Sequence, residues 1–254
     1  MKCGRFRIAW PASLGKIKAF ASIAVDFVIG AIAMTTWTVG REKVLTRSEI
    51  QAVLADLHRK ARRSINTRMN LVLFRLATCC GLRASELSSK TVGEGANKRF
   101  VGGLRLRDVR VSSTSPSIRI PKALGKGGKA RVVPLNFDQG TLDDLRAWKQ
   151  DRIAAGATED DFFLCTQSKR GKGKPIDRHN ARKRFKACCR VLGKERQAEV
   201  TIHHGRHSFI SHALHAGRSV VEVKEAAGHS SLATTSIYSH LVGDDDGAIG
   251  NIFG

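Results

Sequence analysis

Apolar residues recur at helical spacing over much of the chain and alternate with polar ones in a few short stretches. Leu45 to Leu57 runs at helical spacing with Thr46 placed as its cap, and Asn66 to Cys80 is a second, strongly apolar helix stopped by Gly81. Leu104 to Val111, Ser117 to Ile120 and Ala130 to Leu135 alternate as strands do. Gly125-Lys126-Gly127-Gly128 joins the last two as a basic, flexible turn. Helical patterns return at Gln139 to Ile153, Arg178 to Leu192, Ile202 to His215, Val220 to Ala227 and Leu232 to Leu241, with Gly217 and Gly228 as stops. Lys90 to Gly103 reads as a loop, and Gly243 to Gly254 as a tail, acidic and then apolar at Ile249, Ile252 and Phe253. No internal repeat is visible. The predicted fold class is α+β: a mainly helical domain over 41–242 with a small antiparallel sheet or hairpin, an extension over 1–40 and a tail over 243–254.

Charge narrows the class of partner. The 44 Lys+Arg against 22 Asp+Glu give a formal charge of +22. The excess is patterned: Lys98 to Pro134 holds ten basic residues and one acid, Lys169 to Arg196 twelve and two, and the intervening Asp138 to Asp161 is acidic. Such segments suit a polyanion, and nucleic acid is the commonest one. An anionic membrane surface is the alternative, but the basic residues are not gathered on one amphipathic helix. The six cysteines (Cys3, Cys79-Cys80, Cys165, Cys188-Cys189) show no C-x-x-C spacing, which argues against a zinc site and for small core residues in a reducing cytoplasm. Near the start, Lys16 to Lys18 precede apolar residues from Ala19 to Val39, with Ala31-Ile32-Ala33 as a signal-peptidase-like site. Asp26 in the middle is costly in lipid, so this stretch is read as a helix on the domain or as an extension, not as a membrane anchor.

The single tyrosine, Tyr238, ends the run G-H-S-S-L-A-T-T-S-I-Y, nine residues after His229. H-H-G-R-H-S-F puts His203 and Arg206 one helical turn apart, and G-L-R-A-S-E-L supplies Arg83. Two arginines, two histidines and a tyrosine are what phosphodiester cleavage by a phenol needs. A planar guanidinium can grip two non-bridging oxygens while phosphorus becomes five-coordinate, and it stays charged. The histidines at 203, 204, 207, 212 and 215 could suggest a metal, but no H-E-x-x-H pattern occurs and Arg206 would repel a cation.

Arg83 in G-L-R-A-S-E-L, Lys126 in G-K-G-G-K-A-R-V-V-P-L, His203 and Arg206 in H-H-G-R-H-S-F, His229 in G-H-S-S, and Tyr238 resemble the catalytic set of the tyrosine recombinases, the phage integrase family, from about Val44 to Leu241. The resemblance implies a site-specific recombinase or integrase, from a mobile element or a resolution system, that cleaves and rejoins double-stranded DNA. The break would leave a 3′-phosphotyrosyl link and a free 5′-hydroxyl, with no ATP, metal or other cofactor. It implies Tyr238 as nucleophile, Arg83 and Arg206 as the phosphate clamp, His203 as the base and His229 as a hydrogen-bond donor to the phosphate. Lys126 is then the acid, with Lys129 in the same turn as its substitute. Glu86 would hold Arg83 by an ion pair, and His207 would pack behind the site. Lys129, Arg131, Lys172, Lys174 and Arg182 are the candidate DNA contacts. The resemblance further implies a tetramer on DNA, an accessory protein as a further partner, and a cytoplasmic, nucleoid-associated location without membrane contact. Two departures are expected: the residues before the catalytic region do not resemble the family's N-terminal DNA-clamping domain, which is read as absent or truncated, and Lys90 to Gly103 looks inserted. A type IB topoisomerase-like relaxing enzyme and a DNA-binding remnant without catalysis remain the alternatives.

Overall fold

Helix α1 (Arg47–Ala61) starts where Thr46 predicts. The Thr46 hydroxyl accepts from Glu49 N at 3.1 Å and the Glu49 carboxylate accepts from Thr46 N at 2.8 Å, a reciprocal cap. A computed structural model describes residues 39–238 of this chain apart from 113, 169 and 170, so most of the 1–40 extension and all of the 243–254 tail lie outside the described residues. Helix α2 (Ile65–Thr78) is capped by Ser64 and buried at every position from Leu71 to Thr78. Its sequence is apolar nearly all round because neighbours cover it on several sides. Arg75 is the exception: buried in the same helix, it is matched by Asp138 at 2.9 Å and Asp144 at 2.8 Å. Phe74 stacks on Phe185 with centroids 5.4 Å apart.

After the short helix α3 (Ala84–Leu87), the structure departs from the predicted loop. Strands β1 (Ser89–Val92) and β2 (Arg99–Gly102) pair antiparallel with Ser89 opposite Gly102 and Val92 opposite Arg99. Residues 90 to 100 are all exposed, so neither face of this hairpin imposes an alternating pattern on the sequence. The hairpin is tied down at its base, where Ser89 N donates to Ile176 O at 2.9 Å.

The predicted strand Leu104 to Val111 is mostly a turn. A 3-10 segment, Leu106–Asp108, comes first, and only β3 (Val109–Arg110) pairs. The Asp108 carboxylate accepts from Arg105 N at 2.9 Å and so offers the backbone a local alternative to a ladder. Leu104, Leu106, Val109 and Val111 are nonetheless buried. Strands β4 (Ser117–Ile120) and β5 (Arg131–Pro134) complete a three-stranded antiparallel sheet of order β3-β4-β5, with Ile118 opposite Val133. Between β4 and β5 the turn over Lys126–Gly128 has Gly127 and Gly128 at φ 68°.

Six further helices follow among the described residues. Helix α4 (Gln139–Ala154) is capped by Asp138, and its Trp148 donates to Phe163 O at 2.8 Å. Helix α5 (Arg178–Cys188) stops four residues before the predicted Leu192, continuing as the 3-10 turn Cys189–Leu192, and Gly193 then leads into an unpredicted helix α6 (Lys194–Glu199). Helices α7 (Ile202–His215) and α8 (Val220–Ala227) match their predicted bounds. A final helix α9 (Leu232–Ser236) is shorter than predicted, and Tyr238 follows it. The architecture is therefore the predicted α+β class: helices packed round α2, with two small antiparallel sheets at the edge.

The described cysteines (79, 80, 165, 188 and 189) are free and buried, and burial pushes their thiols up, Cys79 to about 11. They are inert core residues. Among the described residues, no helix is long and apolar enough to cross a membrane.

Candidate active site

Three arginines distant in sequence converge on the carboxyl end of α8. Ser219 caps that helix at its start, and Gly228 ends it in the left-handed region at φ 69°. Arg131 Nε donates to Ala226 O at 2.9 Å, Arg206 Nη2 to Ala227 O at 2.6 Å, and Arg83 Nη2 to Gly228 O at 2.7 Å. Carbonyls left without an intrahelical donor thus receive cationic ones, on the end of the helix where the dipole is negative. Arg206 also donates through Nη1 to Gly81 O at 2.6 Å. Burial and the neighbouring Arg83 pull Arg206 down to about 9, which leaves it charged at neutral pH.

Glu86 is the counter-ion that permits this density of charge. It is wholly buried; its carboxylate accepts from Arg131 through both Nη1 at 2.5 Å and Nη2 at 2.8 Å, from Arg83 Nη1 at 3.1 Å and from Arg83 N at 2.7 Å. Burial alone would raise the Glu86 carboxyl, but the hydrogen bonds and charges of Arg131 and Arg83 outweigh it and hold the group below its ordinary value. The predicted ion pair with Arg83 is present. Arg131, predicted as a DNA contact, is placed otherwise: its guanidinium is spent on Glu86 and Ala226, with only 9% of its side chain exposed. Its position on β5 next to basic turn residues disguised it as one more solvated cation.

The remaining candidates divide into two groups. Arg83, Lys126, Lys129, Arg131, Lys224 and His229 line a cleft of about 730 Å³. Arg206, His207 and Tyr238 do not line it. Tyr238 is 4% exposed, and its hydroxyl lies 2.8 Å from His207 Nδ1, with the two rings stacked at 5.6 Å. His229 stacks on Tyr238 at 6.4 Å, and its Nδ1 is 3.0 Å from Thr235 Oγ1. His203, the predicted base, lies exposed one turn earlier on α7, on the same face as His207. Partial burial and then Arg182, Arg178 and Arg206 lower its affinity for a proton. Lys172, Lys174 and Arg182 are exposed but outside the cleft. The sequence places His207 behind the site as a packing residue, its one further signal being the four-residue spacing from His203, and gives no sign of Lys224, which carries no motif.

Burial lowers both His207 and His229 to about 4, assisted at His229 by Arg206, Arg83 and Arg131, so both imidazoles are neutral at pH 7. Burial raises the Tyr238 phenol and Arg206 opposes that rise, so the phenol is protonated at rest. The end of α8 offers a direct test. A Cβ on Gly228 would lie 2.8 Å from Arg131 Cδ, at a φ that L residues rarely adopt. Gly228→Ala is expected to cost roughly 1–3 kcal/mol and to displace Arg131 from Glu86. Urea unfolding checks the first effect; an unchanged midpoint would show that the helix end tolerates a side chain.

The family model described as "Phage integrase family" matches residues 43–243, and the chain belongs to that family. Among the most similar relatives, the tyrosine recombinase XerC of Chromobacterium violaceum is 32% identical over 202 residues, covering 79% of this chain and 58% of the relative. The XerC of Corynebacterium efficiens is 28% identical over 174 residues, 68% of this chain and 47% of its own. The solved XerH site-specific recombinase bound to palindromic difH substrate superposes with a TM-score of 0.55 at 25% identity, covering 78% of this chain and 49% of that one. The XerA recombinase, at 20% identity and TM-score 0.56, shows the shared fold, with 78% of this chain and 60% of that one covered. The chain spans about half the length of the curated relatives it matches.

Proposed function

We propose that residues 41–242 form the catalytic domain of a site-specific DNA recombinase that cuts and rejoins strands through a 3′-phosphotyrosyl intermediate. The observation that carries this reading is the gathering of Arg83, Arg206 and His229 round the end of α8, with the sole tyrosine stacked on His229. Arg83 and Arg206 exchange a backbone carbonyl for the non-bridging oxygens of a phosphodiester, whose full negative charge outbids a carbonyl dipole. His229 donates to the same phosphate, and so does His203 from the turn before Arg206. The Tyr238 oxygen attacks phosphorus and the bond to the 5′-oxygen breaks; Lys126, exposed on the glycine turn, supplies the proton that this oxygen takes up. Phosphoester energy is retained, so rejoining needs no ATP. Lys129, Lys172, Lys174 and Arg182 bind phosphates of the duplex, and Arg131 acts from inside by holding Glu86. The finer assignments extend the same reading: a tetramer on DNA, an accessory partner, and action at the nucleoid.

The test uses a library of nicked duplexes of randomised sequence, in which the cut fragment diffuses away and traps the intermediate. Adducts that survive denaturing detergent are expected on a subset of sequences. DNA binding across the library with no adduct at any sequence would instead leave a binding protein. Lys126→Ala should slow adduct formation at an ordinary 5′-oxygen and be rescued by a 5′-bridging phosphorothiolate, whose sulfur leaves without a proton. Equal defects on both substrates would make Lys126 a binding residue and turn attention to Lys129.

A further inference from the structure

The hydroxyl of Tyr238 needs a proton acceptor, and the structure places at hydrogen-bond distance one that the motif-based assignment treats as a packing residue. We infer that His207 is a catalytic residue: its Nδ1 holds the Tyr238 hydroxyl in the DNA-free site and takes the phenolic proton as the oxygen attacks phosphorus. This rests on the recombinase reading and assigns within it the step first given to His203.

Three observations carry it. The Nδ1 to hydroxyl distance is 2.8 Å, and the rings stack at 25°, which fixes the approach of the nitrogen. The phenol is protonated at rest and so donates; Nδ1 then accepts, which requires the imidazole proton on Nε2. His203, by contrast, is exposed and faces Arg178 and Arg182.

The surroundings explain why the transfer waits for DNA. His203, His204 and Arg206 face His207 from its own helix α7, Lys43 from the 3-10 turn Arg41–Lys43, and Tyr238 and His229 from beyond α8. All but the phenol are cationic or potentially so, and together with burial they hold the imidazole neutral down to about pH 4. A protonated His207 is therefore disfavoured while the site is empty of anions. A phosphodiester between Arg83 and Arg206 offsets that positive field, and the transition state, with more charge on its oxygens, offsets it further. The balance is closed: the Tyr238 O–P bond forms, the phenolic proton ends on His207 Nδ1, the P–O5′ bond breaks, and Lys126 protonates the leaving oxygen. Rejoining returns both protons. The phenolate is thus generated only against a bound phosphate, which protects a recombinase from unprofitable ionisation of its nucleophile.

The test has two arms. In the first, His207→Ala and His207→Asn are assayed on the nicked duplexes that the wild-type protein cleaves. Asparagine restores an acceptor near Nδ1 but cannot take up a proton, so both variants should form adduct at least about a hundredfold more slowly. Added imidazole should restore His207→Ala, with rescue rising along a series of more basic imidazoles. A residue that only packs would show no such dependence. The second arm needs no DNA: Tyr238 is the only tyrosine, so tyrosine labelled with carbon-13 at Cζ gives one signal. That signal should step near pH 4 as His207 protonates and its hydrogen bond reverses; the step should vanish in His207→Asn and persist in His229→Asn. Adduct rates within threefold of wild type in both His207 variants would overturn the assignment, as would a step that disappears with His229 instead. If the wild-type protein forms no adduct at all, the recombinase reading fails while the second arm still decides the pairing.

Discussion

Tyr238→Phe is expected to bind the same duplexes as the parent protein and to form no covalent adduct with any of them. The substitution removes one oxygen and nothing else that reacts. That oxygen is buried against His207, so the surface offered to DNA is unchanged. Loss of the hydrogen bond costs stability of about 1 kcal/mol, too little to unfold the domain. In the proposed mechanism rejoining and cleavage pass through the same phosphotyrosine, so both should disappear together, whereas a variant damaged only in proton transfer should keep a slow residue of each. The chain's single tyrosine makes the result decisive. An adduct that persists in Tyr238→Phe would have to come from a serine, threonine or cysteine, and the reading of the site would fall. The five described cysteines are poor candidates, since burial keeps their thiols protonated.

Much of the molecule was legible because its signals are local. The Thr46 cap, the apolar length of α2 and the glycine stops of α7 and α8 each state a boundary in the residues that form it. What misled was interaction between distant residues. The hairpin over β1 and β2 looked like a loop because it faces solvent on both sides, so its strands carry no apolar alternation. The Leu104 to Val111 alternation was real as burial but wrong as a strand, because Asp108 and the carbonyls of Glu159 and Asp161 take the backbone donors. Arg131 reads as one cation among many until the fold brings a buried carboxylate to it from forty-five residues away. That His207 rather than His203 lies at hydrogen-bond distance from the Tyr238 hydroxyl, one helical turn further on, has a related cause. Motif spacing fixes which face of α7 enters the site, and both His203 and His207 lie on that face. Which of them reaches the hydroxyl is set by where Ile237 and Tyr238 leave α9, and no local pattern records that.

Glu86 is where stability and chemistry meet, and its removal should be the most damaging single change in the fold. The carboxylate is fully buried between two guanidiniums whose side chains are 17% and 9% exposed. Glu86→Gln keeps the shape and leaves Arg83 and Arg131 short of a counter-ion, beside a third cation, Arg206, that already feels Arg83. Removing one partner of a buried pair costs about 3–5 kcal/mol, a large share of the 5–15 kcal/mol or so that holds an ordinary domain folded. The variant should therefore unfold at markedly lower urea, and any folded fraction should cleave poorly because Arg83 is no longer oriented. The pH dependence has a definite sign. The folded carboxyl is held below its ordinary value, so its contribution is complete above the unfolded value of 4.5 and is lost as pH falls through the lower folded one. Wild-type stability should thus decline on acidification through that window, and the Glu86→Gln curve should be flatter there. Comparing urea midpoints at pH 7 and pH 4 measures both effects. A Glu86→Gln protein within about 1 kcal/mol of the parent, with a parental adduct yield, would mean that backbone carbonyls alone hold the arginines. The clamp would then owe its geometry to the end of α8, with Glu86 a bystander.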